Sequence, residues 1–202
     1  MSLLQRIGWW RNGLILTIFI ALGLTAVYLY HSFYSKEPVI ALIIGEPYED
    51  MRQRSSATIA PHLPGKIWHN IPKTDARLRF IDPKYGFITP PARFLAVSFN
   101  EDGIIYSVRM SPQIEPLLYD DVIQIVLDLQ EQWRKAGWVP RSPPLANTSE
   151  LRTQLRSMKC SETTNWRADD QYRIMMNLGC FKDNRHPNEE RYMITMEIAK
   201  AR

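Results

Sequence analysis

Two cysteines, four histidines and the adjacent aspartates Asp120 and Asp121 are the residues with most chemistry to offer in this 202-residue chain. Cys160 and Cys180 stand 20 positions apart with no histidine in step, which is not a metal-binding spacing. In an oxidising compartment they could pair, and the closed loop would stabilise a fold by roughly 3 kcal/mol in the chain-entropy picture. The other reading is two unrelated buried thiols. Paired, neither offers a nucleophilic thiolate. His62 and His69 could share a metal with Asp75 or Asp82, but seven-residue spacing in a loop imposes no coordination geometry. His31 closes an apolar stretch, and His186 falls in a polar connection. Asp120-Asp121 could serve as a carboxylate pair for acid–base work, yet a place in the first turn of a helix already accounts for both. There is no G-x-S-x-G turn, no H-E-x-x-H and no glycine-rich phosphate loop. The expectation is a protein that is not an enzyme and uses no cofactor or metal.

Binding has more to work with. Tyr85 and Phe87 belong to a loop that begins at Asp82-Pro83 and ends at Pro90-Pro91, where stiff turns could display them. Trp138 and Trp166 sit beside helix ends, off any periodic core stripe. Rings of this kind with arginine nearby are common interface anchors, so these four are the partner-binding candidates. Against that stands the ordinary reading that the rings plug the edges of the domain. Met175-Met176, Met193 and Met196 read as sheet core.

The elements that must position these residues follow from periodicity. Residues 13–35 carry no Asp, Glu, Lys or Arg, and Leu14 to Tyr30 is almost wholly apolar. About 20 such residues at about 1.5 Å each cross a hydrocarbon core near 30 Å. Trp9 and Trp10 flank one end and Tyr28, Tyr30 and Tyr34 the other, as rings at two interfaces would. Arg6 and Arg11 before the span outweigh Lys36 after it, so residues 1–12 are expected in the cytoplasm and 36–202 in the periplasm. Bulky Val27 to Tyr30 occupy the place where a signal peptide would be cleaved, which predicts an uncleaved inner-membrane anchor.

Beyond the anchor, Val39 to Ile44 predicts a strand, Gly45 to Ala76 an irregular stretch with a short helix around Tyr48 to Thr58, and Arg77 to Ile81 a second strand. Arg93 to Phe99 and Ile104 to Met110 predict a hairpin across Asn100-Glu101-Asp102-Gly103. Ile104, Tyr106, Val108 and Met110 form the more apolar face of its second strand and are expected to meet the core. Leu118, Val122, Ile125, Leu129, Trp133 and Ala136 make a helical stripe that Gly137 and Pro140 end. Asn147 and Glu150 have capping-box spacing before a short helix reaching Met158. Tyr172 to Leu178 and Tyr192 to Ala199 alternate as strands. The expected fold is α+β: a single transmembrane helix, then one antiparallel sheet packed against helices on one face.

Net charge is +4 with pI near 9.1, but acids and bases alternate, as in Glu131-Gln132-Trp133-Arg134-Lys135. Without a basic stripe, a nucleic-acid partner is not expected. The runs Leu78-Arg79-Phe80-Ile81-Asp82-Pro83, Tyr85-Gly86-Phe87, Phe99-Asn100-Glu101-Asp102-Gly103, Ser111-Pro112-Gln113 and Trp133-Arg134-Lys135-Ala136-Gly137-Trp138 together resemble small bacterial envelope proteins that accompany toxins of type VI secretion. The resemblance spans residues 77–138 and brings no functional residues with it. It implies an immunity protein: a periplasmic, membrane-anchored domain that occludes a secreted toxin. The alternative job is a structural or accessory subunit of a cell-envelope complex.

Overall fold

In the computed structural model, the described residues are 37–65, 68–157 and 160–201. The expected cytoplasmic segment 1–12 and anchor 13–35 lie outside them. Among the described residues no helix is long and apolar enough to cross a membrane. What is described is α+β: ten strands, most of them in an antiparallel sheet, and three helices.

The hairpin at the centre forms where the sequence places it. Strand β5 (Phe94–Phe99) turns through Asn100-Glu101-Asp102-Gly103 into β6 (Ile105–Ser111). Gly103 takes φ +74°, a region costly for any side chain, and Asn100 Oδ1 accepts the Ile104 N–H at 2.8 Å to close the turn. The expected facing of β6 is corrected at its start. Phe99 pairs with Ile105 but Ser98 pairs with Ser107, so Tyr106 is an extra residue on the β6 side. Such a bulge shifts the alternation by one. Ile105 therefore enters the core at 1% exposure and Tyr106 stands 50% exposed, while Val108 and Met110 are buried as expected.

To this hairpin the chain adds β2 (His69–Asn70) outside β5, then β10 (Arg191–Lys200), β9 (Tyr172–Phe181), β8 (Ser161–Ala168) and β7 (Val139–Pro140) beyond β6. The resulting seven-stranded sheet runs β2-β5-β6-β10-β9-β8-β7 and is antiparallel throughout. Leu95, Val97, Val108, Met110, Ile194, Met196, Ile174, Met176 and Trp166 line its buried face. Thr195, Glu197, Arg109, Arg173, Asn177 and Met175 fall on the alternate positions, exposed or half-buried.

One sheet was expected and two are present. Strands β1 (Val39–Leu42), β3 (Arg77–Phe80) and β4 (Phe87–Ile88) make a separate three-stranded sheet in the order β1-β3-β4, with β1 and β3 parallel. Parallel neighbours need a long crossover. The irregular, proline-punctuated stretch between them supplies it and carries α1 (Tyr48–Arg54). Ser55 and Ser56 then cap the free edge of β1, their hydroxyls accepting the N–H groups of Ala41 and Val39 at 3.0 Å.

Helix α2 (Tyr119–Lys135) packs against β10 over the apolar face. Its buried stripe is Tyr119, Val122, Ile123, Val126, Leu129, Gln130 and Trp133; Leu118 is 47% exposed and Ile125 half-buried. The expected stripe is thus rotated, for two physical reasons. Tyr119 stacks edge-on against Tyr192 at 5.7 Å, which draws the first turn inward. Gln130, a polar residue, fits the core because its side chain donates to Leu145 O at 2.8 Å and accepts from Leu145 N–H at 2.9 Å. Gly137, at φ +84°, ends the helix as expected.

Helix α3 (Ser149–Leu155) packs on β8 and ends before Met158. Its cap is Thr148, whose hydroxyl accepts the Leu151 N–H at 3.2 Å, one position later than the expected Asn147. Strand β8 itself was not expected. Its sequence, SETTNWRA, is mostly polar, and only Thr164, Trp166 and Ala168 turn inward.

Candidate protein-binding cleft

Where β6 stops at Ser111, side chains continue the ladder to β10. Ser111 Oγ donates to Ile194 O at 2.7 Å. Gln113, 4% exposed, accepts the Ile194 N–H at 2.9 Å and donates to Tyr192 O at 3.1 Å and Glu115 O at 2.7 Å. A side-chain amide presents the same donor and acceptor as a peptide, so it can replace one backbone pair. Leu117 and Tyr192 then resume true backbone pairing at 3.1 and 2.8 Å. The loop between, anchored at both ends, turns Ile114 outward at 43% exposure.

Two strand ends meet this loop. Phe94 opens β5 at 41% exposure and Phe181 closes β9 at 42%. With Met193 they line a cleft of about 480 Å³ whose edge includes Arg93, Glu115, Lys182 and Arg185. The turn after Phe181 is built on Asp183. Its side chain, 5% exposed, accepts the Arg185 N–H at 2.9 Å and the Arg185 guanidinium at 3.1 and 2.9 Å. Hydrogen bonding from Arg185 holds the Asp183 carboxyl down at about 2. Arg185 also reaches Glu115 at 3.6 Å, tying one edge of the cleft to the other. Arg93 pairs with Asp75 at 3.3 Å.

Cys160 and Cys180 are paired, with Cα atoms 5.5 Å apart, across the open end of the β8–β9 hairpin. The Cys180 N–H donates to Cys160 O at 2.8 Å. A second cleft, of about 280 Å³, includes both cysteines together with Leu155, Arg156 and Arg191, and shares Phe181 and Lys182 with the first. Phe181 therefore separates two hollows and is joined directly to a disulfide-bonded residue.

The four aromatic candidates lie elsewhere. Tyr85, Phe87, Trp138 and Trp166 are 2%, 7%, 2% and 1% exposed, so none presents a surface to a partner. They belong to one buried aromatic network: Trp138 meets Tyr85 at 5.8 Å, Phe87 meets Trp133 at 5.8 Å, and Trp133 meets Trp166 at 5.6 Å. Trp138 Nε1 donates to Tyr85 O at 2.9 Å, so its polar end is satisfied inside. Area decides this: each ring removes more apolar surface from water in the core than a loop tip would.

The polar candidates also have structural partners. Asp75 holds Arg93, and Asp82 Oδ1 accepts the N–H groups of Lys84 and Tyr85 at 2.9 and 2.8 Å. His62 packs edge-on against Phe99 at 4.9 Å. Asp120 pairs with Arg152 of α3 at 2.5 Å. Among the described residues no group of three or more His, Cys, Asp or Glu side chains is placed to hold a metal ion.

Phe94, Ile114 and Phe181 went unnoticed in the sequence, although a signal exists. Phe94 shares parity with half-buried Ser98, and Phe181 with half-buried Asn177 and Gly179, so both are large apolar residues on the less buried face of their strands. No protein-family model matches the chain, and neither a curated protein nor a solved structure matches it.

Proposed function

We propose that this chain is an inner-membrane-anchored periplasmic domain that binds another protein, and that the partner is a secreted antibacterial toxin which it blocks by stoichiometric occlusion. The observation that carries the binding reading is the cleft walled by Phe94, Ile114 and Phe181, three large apolar side chains each more than two-fifths exposed. Isolated exposed apolar residues are ordinary, but three converging on one hollow with a charged edge match the anchor-and-rim anatomy of an interface. The paired cysteines suit an oxidising compartment. An anchor over residues 13–35 would confine the domain near the membrane and raise its effective concentration against a toxin acting there. The immunity assignment itself rests on the resemblance over residues 77–138.

The full-length tagged chain, purified in detergent, would be used to capture partners from lysates of its own cells and close relatives. The expected result is one stoichiometric partner with hydrolase activity that added chain silences. Phe94→Asp and Phe181→Asp should each abolish capture while leaving the thermal unfolding transition in place. Recovery of several membrane-complex subunits would favour a structural role in an envelope assembly. Capture undiminished by both variants would remove the cleft from the interface.

A further inference from the structure

The disulfide differs from a buried staple in three respects. Cys180 is exposed and Cys160 half-buried, so the bond can be reached from solvent. Cys160 adopts φ +44°, a left-handed conformation that is costly for a non-glycine residue. Around it lie Arg156 and Arg191, each paired with a glutamate, and Lys182, which has no ion pair among the described residues. Nearby cations favour a departing thiolate.

From this we infer that Cys160–Cys180 is a site of thiol–disulfide exchange with a dithiol reductant, open in the native fold, and that its redox state governs the wall formed by Phe181. A thiolate of the reductant attacks the sulfur of Cys180, the more exposed residue, forming a mixed disulfide and releasing Cys160 as a thiolate in the cleft that also holds Lys182. The second thiol of the reductant then attacks its own sulfur in that mixed disulfide, and Cys180 leaves. The reductant is oxidised by two electrons and the protein gains two thiols.

Reduction would loosen one segment in particular. Cys180 is followed at once by Phe181, whose backbone position opposite Arg191 is the last rung of the β9–β10 ladder. The rest of the sheet does not depend on the bond: Ile174, Met176, Leu178 and their β10 partners Ile198, Met196 and Ile194 are buried in the core whether or not the sulfurs are joined. The inference does not require the toxin reading, because both its steps concern this chain alone.

The test combines native-state reduction with hydrogen exchange on the full-length chain in detergent, using dithiothreitol as the reductant. Without denaturant, reduction should outpace global unfolding by at least about tenfold. Amide protection over Phe181–Arg191 should fall at least about tenfold, while protection in β5 and β6 stays within about twofold. The double variant Cys160→Ser, Cys180→Ser should still unfold cooperatively and reproduce the reduced exchange pattern. A reduction rate that merely tracks global unfolding would overturn the inference, as would unchanged exchange over Phe181–Arg191 or failure of the double variant to fold.

Discussion

Gln113 shows how much of the cleft depends on a single buried side chain. Its amide stands in for a peptide group between Tyr192 and Ile194, and leucine or alanine there would strand the buried Ile194 N–H, while Tyr192 O keeps its bond from the Leu117 N–H. A buried group orphaned in this way costs about 1–3 kcal/mol, so Gln113→Ala should destabilise the domain by about 1–3 kcal/mol in urea unfolding. Gln113→Glu keeps the acceptor for Ile194 but turns a carboxylate oxygen toward the carbonyls of Tyr192 and Glu115, and should destabilise at least as much as Gln113→Ala. Asp183 adds a pH dependence at the same scale. Its carboxyl is held at about 2 by Arg185, below the value near 3.9 of an unfolded aspartate. A depressed carboxylate stabilises the fold above the unfolded value, and that contribution is lost as pH falls through the folded one. Order in the 182–190 turn, followed by amide chemical shifts, should therefore decline from about pH 4 downward and be lost below about 2. Asp183→Asn should remove that transition and leave the turn loosened at neutral pH.

At the scale of the element, the bulge at Tyr106 decides what β6 shows to each side. Strict alternation would bury Tyr106 and expose Ile105; the observed exposures are 50% and 1%. Ile105→Ala should then cost about 2–5 kcal/mol, whereas Tyr106→Ala should change stability by less than about 1 kcal/mol. The reverse ranking in denaturant unfolding would restore the unbulged strand. The same period-counting located α2, its expected stripe running from Leu118 to Ala136 against the observed Tyr119–Lys135, but misjudged its inward edge: Ile123 and Val126 are buried beside Gln130, which is polar by letter and apolar by environment. Hydrophobic period reports which letters are apolar; it cannot report that a polar letter has found its partners 15 residues away at Leu145.

Across the whole molecule, the aromatic residues divide by location into two groups with opposite expected behaviour. Trp138→Ala and Trp166→Ala empty core positions and should each cost about 3–5 kcal/mol, read as a fall in the unfolding midpoint. Phe94→Ala and Phe181→Ala remove rings already two-fifths exposed, and each should change stability by about 1 kcal/mol or less. In the binding measurement the ranking inverts, with Phe94→Ala and Phe181→Ala weakening capture of the partner by about tenfold or more. Loss of binding in the tryptophan variants in proportion to their unfolded fraction alone would support this division.

A strong local period was legible along the chain in the β5–β6 hairpin with Gly103 at its turn, in helix α2 with Gly137 at its end, and in strands β9 and β10, whose alternation put Ile194, Met196 and Ile198 on one shared face. Those follow from spacings of 2 and 3.6 residues and from the few residues that tolerate positive φ, all of which act within a few positions along the chain. Tertiary structure decided the remainder. Pairing β1 with β3 in parallel, splitting the strands into two sheets, and recruiting the polar SETTNWRA segment as β8 depend on partners far away in the chain. So does the fate of the rings. Tyr85 and Phe87 looked like display residues in a proline-bounded loop and became core because Trp133 and Trp138 were brought to meet them. Phe94 and Phe181, 87 positions apart, became neighbours across a cleft only because β6 and β10 lie between their strands. Local sequence sets which face a residue can take, and only the assembled sheet sets what that face meets.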